Sequence, residues 1–339
     1  MEDACIGIQE QTDVAGVRRV ALRLASGLSF DDVSAGNVAL VVTEAAKNLL
    51  KHAGGGQVIL RRLEVSGAAG IEVLALDRGP GIADLGRCFR DGYSTAGTAG
   101  TGLGAIARLS NVHEIYSRPE QGTMLMAQVW KNGPRRVGMV PGRFSVGGVS
   151  VELPGEAECG DGWISQECGR GVRITVADGL GHGTLAAEAA QVAIRTALEQ
   201  PEEAPPALLA RIHGALRATR GAAVAVAEID VPARVVRFAG IGNIGAAILP
   251  ESDPVRRLVS HAGTAGLNTP KIREFTYPWD SCSLLLMYSD GLQTHWSFDA
   301  YPGLVERHPS VIAGVLYRDY ARGRDDVTVV AAREARPKT

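Results

Sequence analysis

Aromatic residues are scarce, 5% of the 339-residue chain, so its cores have to be built mainly from Ala, Val, Leu and Ile. No apolar run approaches the roughly 20 residues of a membrane span, and the opening Met1-Glu-Asp-Ala-Cys-Ile is acidic, unlike a signal peptide. Charge of one sign is also missing. The 35 Lys and Arg against 37 Asp and Glu leave a formal net charge of −2, which removes the electrostatic case for nucleic acid or an anionic membrane. The five cysteines, Cys5, Cys88, Cys159, Cys168 and Cys282, show no Cys-x-x-Cys spacing. Their odd number speaks against a secreted disulfide scaffold and suits a reducing cytoplasm. None lies in a Cys-x5-Arg arrangement, no Gly-Lys-Ser/Thr marks a Walker loop, and no dinucleotide fingerprint is matched. Internal repeats and low-complexity tracts are absent, and the charged segment Arg333 to Thr339 reads as a frayed tail.

The length supports two independent cores. Turn residues and charge interrupt the apolar pattern at Lys131-Asn-Gly-Pro134-Arg-Arg136, so the expected domains are 1–133 and 134–339. In the first, periodicity predicts helices near Val14 to Leu28, Val38 to His52 and Leu103 to Leu109. Strands are predicted near Val58 to Leu63, Ile71 to Leu76, Val112 to Ser117 and Met124 to Trp130. A sheet with helices on one face follows. In the second, short strands surround two helical stretches, Leu185 to Glu199 and Pro206 to Arg220, and Gly240 to Gly245 reads as a tight turn between strands.

Four acidic clusters punctuate the second half: Gly160-Asp161-Gly162, Asp178-Gly-Leu-Gly-His182-Gly, Ser289-Asp290-Gly291 and Arg324-Asp325-Asp326. Ile174 to Ala177 runs straight into Asp178, and Leu284 to Tyr288 into Ser289-Asp290, while Asp325 and Asp326 precede Val327 to Val330. A rigid sheet would hold these carboxylates at strand ends. An Asp-Gly taken singly is an ordinary turn. Together, converging carboxylates repel and lose hydration, so they are stable mainly around divalent cations, and hard oxygen donors select Mg²⁺ or Mn²⁺.

The first half carries Glu44-Ala-Ala-Lys-Asn48, Asp77-Arg-Gly79-Pro-Gly81, Gly97 to Gly104 and Gly122-Thr123. Glu44 and Asn48, four apart, project from one helix face, either as an ordinary polar pair or as a cation or water site. Asp77 closes a strand, and Gly79 and Gly81 allow a planar ring to approach its carboxylate. The glycines before the helix at Leu103 present free N–H groups to phosphate.

In order and spacing, the first set resembles the boxes of the GHKL ATPase superfamily over Thr12 to Trp130. Gly100-Thr-Gly-Leu-Gly-Ala-Ile-Ala-Arg-Leu109 is most similar to the small serine kinases of the anti-sigma and stressosome-switch group. The resemblance implies Mg-ATP held by Asn48, Asp77, Gly79, Gly81, Gly100, Thr101, Gly102, Leu103, Gly104 and Thr123. Asn48 would sit on Mg²⁺, Asp77 on the adenine amino group, and Glu44 would be the catalytic base. No dimerisation and phospho-acceptor helix is evident, which disfavours a two-component histidine kinase. His52 reads as packing or polar lining at the helix end.

The second set resembles the SpoIIE-type branch of the metal-dependent (PPM) Ser/Thr protein phosphatases, from about Arg143 to Arg333, whose motifs GD, DGxGHG, SDG and DD-x-T occur here in order. By that likeness two Mn²⁺ or Mg²⁺ are held by Asp161, Asp178, the Gly179 carbonyl, Asp290 and Asp325, with Asp178 bridging. Asp178 and Asp290 then count among the catalytic positions. Two cations about 3.5 to 4 Å apart acidify a shared water and neutralise phosphate charge. His182 either protonates the leaving alkoxide or orients its loop. The implied fold is α+β, a GHKL α/β sandwich followed by a PPM-type β-sandwich flanked by helices.

The combination implies a phosphoserine/phosphothreonine protein phosphatase with a kinase-like ATP half, cytoplasmic, in a bacterial partner-switching cascade. The resemblance makes its partner a small sulfate-transporter-and-anti-sigma-antagonist (STAS) protein, with no nucleic acid and no membrane. The alternative is a nucleotide-dependent binding module that sequesters a partner, its ATP site a switch rather than a kinase.

Overall fold

The computed structural model describes residues 3–65, 67–84, 102–131, 143–251, 253–268 and 271–335. The chain forms two compact units, one of residues 3–140 with 306–318, the other of 141–305 with 319–339.

In the first unit, strands β1 (Ala4–Ile8), β2 (Gly56–Val65), β3 (Ala68–Leu76), β4 (Val112–Ser117) and β5 (Thr123–Trp130) make one antiparallel sheet in the order β1-β2-β3-β5-β4. Helices α1 (Gln11–Gly27), α2 (Asp32–Asn48) and α3 (Gly102–Leu109) cover one face. A capping box between Glu10 and Asp13 starts α1. The Asp31 carboxylate starts α2 by accepting the Val33 and Ser34 N–H groups at 3.0 and 2.9 Å. Strand periodicity then decides the core: Val58, Leu60, Val73, Ala75, Leu125 and Ala127 point to the helices.

The alternate residues face a helix that the sequence pattern did not predict, α6 (Pro309–Tyr320), whose positions 309–318 are all buried. Ser310 donates to Glu72 at 2.9 Å, Tyr317 to Gln57 at 3.2 Å, and Gly314 lies against Met124 where a side chain would collide. Thus the free face of the first sheet is covered by a segment from far along the chain. At its centre Glu72 is fully buried, gripped by Arg61 at 2.8 Å and by Gln128 and Ser310. Burial pushes its carboxyl up, but the Arg61 charge and the hydrogen bonds outweigh this and hold it below its ordinary value. Arg61→Ala would leave that carboxylate buried and unpaired, and chemical denaturation should show the first unit weakened by about 3–5 kcal/mol.

The second unit is a sandwich of two antiparallel sheets. One contains β7 (Asp161–Cys168), β8 (Gly171–Gly179), β9 (Ala222–Asp230), β10 (Val235–Ile241) and β13 (Phe275–Pro278), in the order β13-β10-β9-β8-β7. The other contains β6 (Phe144–Val151), β11 (Gly245–Leu249), β12 (Arg256–Arg257), β14 (Leu284–Tyr288) and β15 (Val327–Glu334), in the order β12-β11-β14-β15-β6. Inward residues such as Ile174, Val176, Phe238, Leu285, Met287 and Val330 form the shared core. Helices α4 (Thr184–Leu198) and α5 (Pro205–Ala215) cover the outer face of the first of these sheets through Ala190, Ala193, Leu208 and Ile212. Small alanines let α4 approach closely enough that Gly179 packs on the Ala186 backbone. This α+β architecture matches the expected fold class. Among the described residues no helix is long and apolar enough to cross a membrane.

Candidate nucleotide and metal sites

In the first unit, Glu44 and Asn48 lie on the last turns of α2, where the helix widens into a π turn over Leu49–Ala53. Such widening is frequent at functional sites. Gly102 begins α3 beside both side chains: a Cβ there would stand 3.3 Å from Asn48 Oδ1 and from Glu44 Oε2. Asn48 Nδ2 is buried without a hydrogen-bond partner among the described residues, a donor that a ligand can satisfy. Glu44 pairs with Lys47 at 3.1 Å. Gly104 is buried and Leu103 packs on the helix-facing core. Gly100 and Thr101 lie outside the described residues.

Asp77 ends β3, and its Oδ1 accepts the N–H groups of Gly79 at 2.8 Å and Thr123 at 3.1 Å. These bonds fix the carboxylate through one of its two oxygens. Burial pushes the Asp77 carboxyl up, more than its hydrogen bonds and the nearby Arg318 charge pull it down. Two glycines are needed here for their backbone path. Gly81, at φ +69°, lies against the Arg118 carbonyl, and Gly122, at φ +77°, against the Asp77 carbonyl, with no room for a Cβ at either. Ser117 Oγ ties this corner together, accepting the Ile82 N–H at 2.8 Å and meeting Thr123 Oγ1 at 2.9 Å. From behind, Arg318 Nη1 of α6 donates to the Asp77 carbonyl at 3.2 Å, and the Arg78 guanidinium donates to the Arg318 carbonyl. His52, in the π turn, is pulled down by burial and feels the Asp77 charge.

In the second unit, Asp161 and Asp178 face each other as paired residues of β7 and β8. Burial pushes Asp161 up to about 7 and Asp178 up to about 9, and for Asp178 the charges of Asp161, Asp290, Asp325 and Asp326 add to it. Asp290 is raised by burial and by Asp325, against the opposing pull of Arg322. Gly179 N–H donates to the Gly160 carbonyl at 2.9 Å, locking the two acidic turns together. Asp326 acts on the backbone instead. Its oxygens accept the Leu153 and Gly160 N–H groups at 2.8 and 2.9 Å, which fastens the turn leading into Asp161.

The donor set suits hard divalent cations. It is made of carboxylate oxygens, its members raise one another's affinity for protons, and Asp161 Oδ2 is buried with no hydrogen-bond partner among the described residues. Even so, among those residues no three His, Cys, Asp or Glu side chains converge closely enough to hold an ion as they stand.

Several contacts were not legible in the chain. Asn243, in the turn read as a structural corner, donates its amide to Asp290 at 2.6 Å. His182 meets Glu156 at 2.6 Å through Nδ1, and the pair is exposed. Asp290 and Asp325 also border a cavity of 410 Å³ together with Gln293, Arg322 and Arg324.

Comparison with known proteins defines both halves. The family model of the histidine kinase-like ATPase domain matches residues 9–129, and that of stage II sporulation protein E (SpoIIE) matches residues 169–334. Serine/threonine-protein kinase RsbT of Bacillus subtilis (strain 168) is 30% identical over 129 residues, which are 38% of this chain and 97% of RsbT. Phosphoserine phosphatase RsbX of the same organism is 25% identical over 139 residues, 41% of this chain and 69% of RsbX. A chain solved in work on the bacterial stressosome, a modular system adapted to control secondary messenger signaling, superposes with a TM-score of 0.53 at 28% identity, covering 56% of this chain and 99% of that one. The crystal structure of RsbX with magnesium superposes with a TM-score of 0.50 at 19% identity, covering 57% and 96%, and shows the fold alone.

These matches define a histidine kinase-like ATPase domain joined to a SpoIIE-type phosphatase domain. The chain belongs to the histidine kinase-like (GHKL) ATPase family through its N-terminal part and to the SpoIIE-type PPM phosphatases through its C-terminal part.

Proposed function

We propose that the protein is a phosphoserine/phosphothreonine protein phosphatase of a partner-switching cascade, whose substrate is a small phosphorylated STAS-type regulator, and that it acts in the cytoplasm. The observation that carries this reading is the convergence of carboxylates on Asp178, which pairs across β7 and β8 with Asp161 and is raised by burial and by the charges of Asp161, Asp290, Asp325 and Asp326. Two Mn²⁺ or Mg²⁺, held by Asp161, Asp178, the Gly179 carbonyl, Asp290 and Asp325, would supply water activation and neutralise phosphate charge. The chain's own contribution is positioning. Asn243 orients the Asp290 carboxylate, Asp326 fixes the turn before Asp161, and the His182–Glu156 pair sets the loop after Gly179. Asn48, Asp77, Gly79, Gly81, Gly102 and Thr123 would hold Mg-ATP in the other unit, completed by Gly100, Thr101, Leu103 and Gly104, with Glu44 as the catalytic base. Residues 1–133 and 134–339 would be the two functional domains.

One observation favours the second reading, in which ATP is a switch. Arg318 of α6 holds the peptide of Asp77, and the same chain reaches Asp325 seven positions later. Occupancy of the nucleotide pocket thus has a short covalent route to a ligand of the metal site. Hydrolysis of a generic phosphate ester should require Mn²⁺, fall to background in Asp290→Asn, and change rate on adding ATP. Absence of Mn²⁺-dependent turnover with an authentic phosphorylated STAS protein would sink the phosphatase. Glu44→Gln separates the two roles of ATP: phosphotransfer lost with ATP binding kept marks a kinase, and no transfer in the wild type marks a switch.

A further inference from the structure

The cavity beside Asp290 and Asp325 has a lining of mixed sign. Alongside the two carboxylates it presents the side chains of Arg322 and Arg324, with Gln293 between them in character. A guanidinium beside a carboxylate usually closes an ion pair. Here the Arg322 charge is felt by Asp290, yet among the described residues neither Arg322 nor Arg324 has a side-chain hydrogen bond or an ion pair, and both are exposed. Two cations are thus held at the mouth of an acidic site without being spent on it.

Their backbone is well anchored. Arg322 N–H donates to the Gly291 carbonyl at 2.9 Å, Gln293 N–H donates to the Tyr320 carbonyl at 2.9 Å, and Leu292 bridges to Ala321. The turn carrying Asp290 and the turn carrying Arg322 therefore form one two-sided platform. Arg324 directly precedes Asp325, so its position is coupled to that ligand. Planar guanidinium groups offer paired N–H donors that match phosphate oxygens and keep their charge at every working pH.

We propose that Arg322 and Arg324 are the phosphate clamp of this site: they bind the anionic oxygens of the substrate's phosphoryl group and hold it over Asp290 and Asp325. The clamp rests on the phosphatase reading for its substrate, a phosphate monoester, but binding of phosphate can be measured without turnover. Metal ligands in such a site attract cations and repel the phosphate dianion, and the two arginines offset that repulsion on the approach side. Gln293 adds a neutral donor to the same wall.

Calorimetric titration of inorganic phosphate into the Mn²⁺-saturated full-length protein tests this directly. Arg322→Ala and Arg324→Ala should each weaken phosphate binding by roughly 10- to 100-fold, with Mn²⁺ affinity and the thermal midpoint unchanged. Arg322→Lys, which keeps charge and loses the paired geometry, should fall between Ala and wild type. With p-nitrophenyl phosphate, the same variants should raise KM and the phosphate inhibition constant together. Equal phosphate affinity in wild type and both Ala variants, or no phosphate binding to the Mn²⁺-loaded wild type, would overturn the clamp. Arginine-dependent phosphate binding without turnover would keep the clamp and refute the hydrolytic reading instead.

Discussion

Asp178→Asn should abolish Mn²⁺-dependent phosphate-ester hydrolysis, by on the order of 10³-fold, and at the same time make the metal-free protein more stable. Both effects come from one cause. Asp178 is half-buried and feels the charges of Asp161, Asp290, Asp325 and Asp326, and its carboxyl is pushed up to about 9, with Asp161 up to about 7. A folded-state pKa above the unfolded one means that the folded chain binds more protons. The metal-free protein is then least penalised near pH 4 and loses stability as pH rises through about 7 and about 9. Asparagine carries no proton to defend, so the chelator-treated variant should gain at least about 1 kcal/mol at pH 8 and show a shallower pH slope. For a unit of this size that corresponds to roughly 2–4 °C in melting temperature. Manganese should reverse the ranking. At a hundred times its dissociation constant it stabilises the wild type by about 2.7 kcal/mol and the variant far less. Melting curves at pH 5, 6.5 and 8, with chelator and with Mn²⁺, separate these contributions. A variant that hydrolyses like wild type, or whose metal-free form melts lower, would show that Asp178 is an ordinary turn residue.

The local parts of both sites were legible because each rests on a short-range rule. Glu44 and Asn48 share a face of α2 by helical spacing, and Asp178 follows the strand-like Ile174 to Ala177, which pairs as part of β8 with β7. What escaped was set by distant contacts. Helix α6 reads Ser-Val-Ile-Ala-Gly-Val-Leu-Tyr, apolar on every side, so it has no polar face from which a period of 3.6 could be read. Its polar residues make sense only beside Glu72, Gln57 and Asp77, which are more than 200 positions away. The division at residue 133 likewise follows composition along the chain, whereas compactness places 306–318 with the first unit. Edge strand β1 is short and half-exposed, with too few residues for alternation to stand out. Asn243 does occupy the tight turn its Gly-Asn pair suggests, but turn chemistry says nothing about an acceptor 47 positions on. The helix predicted to run from Val38 to His52 changes winding at Leu49, and Gly79 packs so closely on Ala53 at the end of that turn that a Cβ would collide.

Asp77→Asn should exchange nucleotide preference rather than merely weaken binding. Oδ1 of the carboxylate accepts the Gly79 and Thr123 N–H groups, and under the proposed nucleotide site the other oxygen would read the base. Asparagine keeps an oxygen to accept those two N–H groups, so the corner closed by Gly81 and Gly122 should stay folded. The second atom becomes an NH₂ donor. Facing the exocyclic amine of adenine, a donor opposes a donor, and affinity for a non-hydrolysable ATP analogue should drop by roughly 10- to 100-fold, the scale of a lost hydrogen bond to a charged group. Facing guanine, the same NH₂ meets the O6 acceptor, so the corresponding GTP analogue should bind the variant better than it binds wild type. A control follows from α6. Arg318→Ala releases the Asp77 carbonyl without touching the reading atom, and should weaken both nucleotides alike. Calorimetry with both analogues on wild type and the two variants decides the matter: a uniform loss in Asp77→Asn would assign Asp77 to loop architecture, and a reversed preference would make it the base-reading residue.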